Sequence, residues 1–247
     1  MSFSALILAG SRPGVTDPVA ASEGVAHKAL VTLGATTLLA RVAYAVRAAG
    51  AAEIVVSAKD PAVVAAAEAL GLAVLPSAGG PSESVAHALA RTGTPLVVTT
   101  ADHALLRAEW VTALIAGTPA AADVSVMLAE RSLVEVAAET KRTWLRFADG
   151  DWSGCNLFYL ARPDAERAIA LWKHVEADRK RPWRIVAKLG PGLLARYLTG
   201  RLTLADALAR LGTRAGIVAA MVPAPDGRAA IDVDTAADLA LVRSLSR

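Results

Sequence analysis

The 247-residue chain is predicted to be a three-layer α/β protein, a mostly parallel sheet with helices on both faces. Three observations lead there. Continuous apolar runs of strand length recur from Ala5 to Leu128, as strands buried on both faces require. Segments of helical period separate them, which is the alternation of βαβ units. Gly or Pro stands at most of the junctions, where the chain must stop one element and start another.

Taken in order, Ala5–Leu8 reads as the first strand. After a long loop, Thr36–Ala49 carries apolar residues at helical spacing and stops at Gly50. Ile54–Ser57 is the second strand, and Pro61–Leu70 a helix with Pro in its first turn, closed by Gly71. Ala73–Leu75 is a third strand, Pro81–Arg91 a helix, Leu96–Thr100 a fourth strand, Arg107–Ala116 a helix and Val124–Leu128 a fifth strand. Residues 129–153 are polar and read as irregular. Leu157–Leu160 is a further strand and Pro163–Val175 a helix. Residues 182–211 form two or three short helices punctuated by Gly190, Gly192 and Gly200. Ile217–Val222 is a strand, and Thr235–Leu245 a closing helix with Asp234 or Thr235 near its N-cap. The helical stretch 163–211 reads as an insertion in one domain spanning 1–247.

Hydrophobic residues make up 54% of the chain and mean hydropathy is +0.43, but much of this is alanine. No apolar run approaches the ~20 residues of a membrane span. Met1–Ser4 carries no basic region, and the apolar stretch behind it ends at Gly10, too short for a secretory signal. A cytoplasmic protein is expected. The single cysteine, Cys155, rules out an internal disulfide and a multi-cysteine zinc site, and the four histidines show no metal spacing. A net charge of +3 suits an anionic ligand but does not require one. No nucleic-acid reading motif accompanies it.

The first chemically loaded segment follows strand one directly: Leu8-Ala9-Gly10-Ser11-Arg12-Pro13-Gly14, running on to His27-Lys28. A glycine-bearing loop lets backbone N–H groups approach a polyphosphate, and Arg12 and Lys28 supply the positive charge a triphosphate needs. The same residues would also make an ordinary surface loop. The spacing is neither that of a Walker loop nor that of a Rossmann fingerprint, which disfavours a dinucleotide-dependent oxidoreductase. The second segment is Asp102, just past the fourth strand. Ligands bind at the carboxyl ends of strands in open α/β sheets, and a carboxylate there can hold a Mg²⁺ that bridges nucleotide phosphates. Alternatively Asp102 caps the helix that starts near Arg107.

Leu6-Ile7-Leu8-Ala9-Gly10, a long loop, and then Lys28-Ala29-Leu30-Val31-Thr32-Leu33-Gly34 resemble the sugar-phosphate and cofactor nucleotidyltransferase superfamily, most closely its MobA-like NTP-transferase group. Asp102-His103-Ala104 is similar to that family's D-x-P element, with Ala104 where Pro is usual. Asp232-Val233-Asp234-Thr235-Ala236-Ala237-Asp238-Leu239 is similar to its terminal D-x-D-T-P-E-D-L element. Ser11 stands where a second Gly is common.

The resemblance implies transfer of a nucleoside monophosphate from an NTP, CTP or GTP favoured, to a phosphorylated acceptor. Residues 1–130 would bind the NTP through Leu8, Ala9, Gly10, Ser11, Arg12 and Lys28, with Arg12, Lys28 and Asp102 as the catalytic set. Mg²⁺ would be held by Asp102 with Asp234, or with Asp232. For Asp234, an N-terminal capping arrangement with Asp238 is an equally good reading of the residues.

The resemblance also sets Ser82 and Ser84, in Gly79-Gly80-Pro81-Ser82-Glu83-Ser84, against the nucleobase, although Ser82 equally suits an N-cap. It places Asn156 on the acceptor side, within residues 131–230. Cys155 reads as a small buried residue rather than a nucleophile. Two clusters, Lys141, Arg142 and Arg146 around Trp144, and Arg179, Lys180, Arg181 and Arg184 around Trp183, suit an acceptor phosphate. They also suit peripheral contact with anionic lipid headgroups, or plain solvated faces. Alanine-rich helices are compatible with a homodimer. A nucleotide-sugar-dependent glycosyltransferase is the second enzymatic reading. It would favour a D-x-D at the fourth strand, where Asp102-His103-Ala104 stands. A nucleotide-binding domain without turnover is the third.

Overall fold

The structure, a computed structural model, describes residues 2–11, 14, 17–140, 142–178, 182–188 and 190–246. Arg12, Lys141 and Arg181, together with Arg179 and Lys180, lie outside the described residues.

The chain opens with β1 (Phe3–Leu8) and a short helix α1 (Pro18–Ser22), then a 3₁₀ turn at Lys28–Leu30 and a small hairpin of β2 (Thr32–Leu33) and β3 (Thr36–Thr37). Helix α2 (Leu38–Ala48), β4 (Ala51–Ala58), α3 (Pro61–Ala69), β5 (Ala73–Pro76), α4 (Pro81–Thr92), β6 (Leu96–Thr100), α5 (Ala108–Gly117) and β7 (Val124–Glu130) follow in strict alternation. Then come α6 (Arg131–Ala137), β8 (Leu145–Phe147), β9 (Gly150–Leu160), a 3₁₀ turn at Pro163–Glu166 and α7 (Arg167–Asp178). Helices α8 (Pro182–Lys188), α9 (Pro191–Leu198) and α10 (Leu204–Ala215) precede β10 (Ala219–Pro223), a 3₁₀ turn at Gly227–Ala230 and α11 (Ala236–Leu245).

Among the described residues the main sheet has eight strands in the order β10-β7-β9-β6-β1-β4-β5, with β8 paired to β9. The pairs of β1 with β4 and β6, of β4 with β5, and of β10 with β7 are parallel. Strand β9 runs antiparallel to β6, β7 and β8. Alternation along β1 sends Ala5 and Ile7 to one face, where Leu38, Leu39, Val42, Val111, Leu114 and Leu239 cover them. Leu6 goes to the other face, against Val85, Ala88 and Leu89 of α4. Three layers result, as the apolar runs predict.

Residues 129–153, expected to be irregular, contain the end of β7, then α6, β8 and the first four residues of β9. Their local sequence is polar, and packing decides their state: Trp152 is buried with Leu128 and Leu204, and the β8–β9 hairpin, a local pairing, is covered through Leu145 and Phe147 by Leu208 and Met221. The segment 163–211 divides in two. Helix α7 lies in the outer layer beside α4, with Ile169 and Trp172 against the sheet. Helices α8 to α10 gather around Val186, Leu202 and Ala207. The hairpin turn anchors α10, because Asp149 Oδ1 accepts from Leu204 N at 2.8 Å. No described helix is long and apolar enough to cross a membrane.

At Gly227 a Cβ would lie 2.1 Å from the Leu133 carbonyl oxygen, so α6 seats its backbone directly on the turn that leads to residues 231–234. Asn156 is the one non-glycine residue with positive φ (48°) among the described residues. It falls where the β7–β9 register shifts between Val126 and Leu128. Such a bulge re-aims a side chain, and Asn tolerates the left-handed region better than most residues.

Candidate active site

The carboxyl ends of β1, β6 and β4 meet at one edge of the sheet. Ala9 N donates to Ser57 O at 2.9 Å and Ala101 N to Leu8 O at 2.9 Å, so the loop after β1 and the loop after β6 leave side by side. Gly10 is exposed and its neighbours do not require glycine, since a Cβ there would meet Ser77 Cβ at an ordinary 3.5 Å. Ser11 is exposed beside it.

Lys28 is set by two caps. Asp17 Oδ1 accepts from Val19 N (2.9 Å) and Ala20 N (3.1 Å), starting α1 ahead of Pro18. The buried His27 accepts at Nδ1 from Ala29 N (3.0 Å), starting the turn that carries Lys28. Burial holds the His27 pKa below its ordinary value, against Asp60 and Asp17.

From this turn Lys28 Nζ reaches Asp102 Oδ2 at 2.7 Å, Asp234 Oδ1 at 3.1 Å and Asp17 Oδ2 at 4.0 Å. Burial works against the ammonium, but Asp102 and Asp234 outweigh it and hold the Lys28 pKa above its ordinary value. Asp102 is oriented by Thr100 Oγ1, which donates to its Oδ1 at 2.5 Å. It does not cap α5, whose N-cap is Arg107 with no side-chain bond. Its own carbonyl accepts from Val233 N at 3.1 Å, which ties the aspartate loop to the C-terminal D-x-D segment.

The two C-terminal aspartates have different surroundings. Asp234 is largely exposed (side chain 68%). The capping box of α11 belongs to Thr235 and Asp238: Thr235 Oγ1 accepts from Asp238 N (3.2 Å), and Asp238 Oδ2 accepts from Thr235 N (2.8 Å). The Asp234 carboxylate is thus left to Lys28. Asp232 is buried. Arg142 Nη1 pairs with one of its oxygens, and Asn156 Nδ2 donates to the other at 2.7 Å. Burial keeps the Asp232 pKa above the usual carboxylate range; Arg142 opposes this, and Asp102 and Asp234 add to it. Arg142 Nε also reaches Ser153 Oγ at 3.5 Å.

Lys28, Asp102, Asp234, Asp232, Arg142 and Asn156, drawn from five separate stretches of chain, are therefore linked through side chains and the Val233 amide. Ser82 and Ser84 are buried at the start of α4. Its N-cap is Gly80, not Ser82, and Ser84 Oγ accepts from Ala78 N at 3.1 Å, shaping the loop before the helix. His103 is fully buried, stacks on Trp110, and burial lowers its pKa to about 4. Cys155 is buried and its thiol is pushed up by that burial, which disqualifies it as a nucleophile at neutral pH. Arg131, not Arg142, lies over the Trp144 ring, at 5.5 Å.

Sequence reasoning missed Asp17, His27, Thr100 and Ser153. The Asp17-Pro18 pair is a readable helix start, whereas Thr100 and Ser153 carry no local signal. Among the described residues no three His, Cys, Asp or Glu side chains converge as a metal cage. What converges is a pair of carboxylates, Asp102 and Asp234, around one ammonium. Two hard oxygen donors suit a Mg²⁺ that keeps waters and phosphates as its remaining ligands.

The sequence matches the family model described as the MobA-like NTP transferase domain over residues 5–149. A hypothetical transferase from Thermus thermophilus is 31% identical, with 97% of this chain and 100% of that one covered and a TM-score of 0.80. A nucleotidyl transferase from Methanothermobacter thermautotrophicus is 19% identical over 99% of this chain and 96% of that one, with a TM-score of 0.61. A CMP:2-keto-3-deoxy-manno-octonic acid synthetase complexed with CTP is 19% identical over 98% of each chain, with a TM-score of 0.56. No curated protein matches the sequence significantly. A family match across more than half of the chain, on a fold of this kind, makes the protein a nucleotidyltransferase of the MobA-like NTP transferase family.

Proposed function

We propose that this nucleotidyltransferase uses Mg²⁺ to transfer a nucleoside monophosphate from an NTP to a phosphorylated acceptor: a sugar, polyol, cofactor or lipid-headgroup phosphate. The observation that carries the reading is the seat of Lys28 between Asp102 and Asp234 at the carboxyl ends of β1 and β6. The triphosphate lies along Leu8, Ala9, Gly10 and Ser11, with Arg12 and Lys28 balancing its charge. Asp102 and Asp234 hold the Mg²⁺, which supplies charge stabilisation at the phosphates when bound. A phosphate oxygen of the acceptor attacks the α-phosphorus, the bond from that phosphorus to the α,β-bridging oxygen breaks, and pyrophosphate leaves with the electron pair.

Ser82 and Ser84 stand on the base side, where Ser84 acts through the loop it bonds. Arg142 and Asn156, clamped by Asp232, face the acceptor, with Lys141 and Arg181 adding charge. A structural neighbour solved with CTP puts CTP first among the nucleotides to try. The test is Mg²⁺-dependent pyrophosphate release from each NTP against a panel of phosphorylated sugars, polyols and headgroups. Release with one pair, reduced about a thousandfold in Asp102→Ala by loss of about 4 kcal/mol of charge stabilisation, supports the reading. Full activity of Asp102→Ala refutes it.

A further inference from the structure

We infer that Lys28 determines specificity for the metal–triphosphate complex: in the free enzyme its ammonium takes the place a divalent cation takes between Asp102 and Asp234, so metal alone is a poor ligand. The inference rests on the metal reading above. Three distances carry it: 2.7 Å to Asp102, 3.1 Å to Asp234 and 4.0 Å to Asp17. Thr100 donates to Asp102 Oδ1, and Oδ2, the oxygen that carries no hydroxyl, is the one Lys28 holds. A cation arriving alone must share these oxygens with an ammonium at contact distance, or displace a Lys28 side chain that is itself only 17% exposed.

The backbone under Lys28 is fixed by His27, which leaves the four-carbon stem as the moving part. A metal–triphosphate complex resolves the conflict in one step. Its phosphates offer Lys28 a new anionic partner, and its cation takes over the two carboxylates. A monophosphate brings no cation, so a Lys28 drawn to it leaves Asp102 and Asp234 unpaired. Discrimination between a triphosphate donor and a monophosphate acceptor at this corner then follows from charge alone.

The experiment is Mn²⁺ binding followed by loss of the free-ion paramagnetic resonance signal, with metal alone and with α,β-methylene CTP and GTP. Wild type is expected to bind Mn²⁺ alone weakly and to retain it with an analogue. Lys28→Met is expected to bind Mn²⁺ alone at least tenfold more tightly, because a contact-distance positive charge is gone. Lys28→Gln should do the same, and circular dichroism verifies that both variants are folded. Lys28→Met/Asp102→Asn should lose the gain. If Mn²⁺ alone binds the Lys28 variants no better than wild type, while wild type retains it with an analogue, the inference is overturned and the metal reading stands. A gain that survives Asp102→Asn overturns it too, as does tight binding of Mn²⁺ alone by wild type. If wild type retains no Mn²⁺ with either analogue, the metal reading itself has failed.

Discussion

Arg142→Met isolates the buried carboxylate at Asp232. The two side chains are 13% and 12% exposed, and the substitution leaves Asp232 with its bond from Asn156 at 2.7 Å. Removing one partner of a buried ion pair costs about 3–5 kcal/mol, and the slight access to water here places the effect near the lower end, about 3 kcal/mol. In a chain of this size 1 kcal/mol moves Tm by about 2–4 °C, so a fall of roughly 6–12 °C is expected at pH 7.

The penalty has a pH signature. The folded pKa of Asp232 already lies above the ordinary carboxylate value through burial, and loss of Arg142 raises it further. A carboxyl with a raised folded pKa destabilises the fold as pH rises through the interval between its unfolded and folded values, and costs nothing below both. The gap between variant and wild type should therefore narrow from pH 7 to pH 5. Arg142→Met/Asp232→Asn, which removes the charge as well, should recover more than half of the loss. Scanning calorimetry at the two pH values is the assay. A fall below about 2 °C at pH 7, or a gap that does not change with pH, refutes the account of Asp232 as a buried charge held by Arg142.

Three further outcomes are expected. Gly227→Ala sets a methyl 2.1 Å from the Leu133 carbonyl, backbone that cannot swing aside; it should lose about 3 kcal/mol in urea unfolding, and an unchanged midpoint would show that α6 does not sit on this turn. Thr235→Ala should cost about 1 kcal/mol through the α11 cap, while Asp234→Ala leaves the unfolding midpoint in place; the reverse ranking would return the capping role to Asp234. His103, with a pKa lowered to about 4 by burial, should stay neutral down to pH 5.5 in an NMR titration. Because its folded pKa lies below the unfolded one, its contribution is full above about pH 6.5 and is lost as pH falls towards 4. A ring that titrates near 6.5 would mean it is not sealed against Trp110.

Much of this protein is written in short-range pattern. The alternation of apolar runs and helical periods from Ala5 to Leu128 yields the parallel strands and their crossover helices, because burial on both faces imposes its period residue by residue. Asp102 is locatable for the same reason: it follows a recognisable strand, and a strand's carboxyl end is a fixed place in such a sheet. The Thr235–Asp238 box is legible because its bonds close over three residues. The sequence alone left Asp234 between cap and ligand, and it left 129–153 shapeless. Tertiary structure gave the cap to Thr235 and Asp238, and it built α6, β8 and the start of β9 within 129–153.

Strand β8 pairs with β9 in a local hairpin, but that hairpin is fixed in the fold by pairing of the start of β9 with β7 and by packing against Leu204, Leu208 and Met221, which local propensity does not encode. The same holds at the site. Lys28 meets Asp234 across 206 residues and Arg142 meets Asp232 across 90, and the left-handed turn at Asn156 arises where β9 slips against β7. The sequence determined which groups are present and which strand ends carry them. Which carboxylate takes the ammonium and which takes the guanidinium was decided only in the folded chain, since contacts of that span depend on how the layers close and not on any neighbour in sequence.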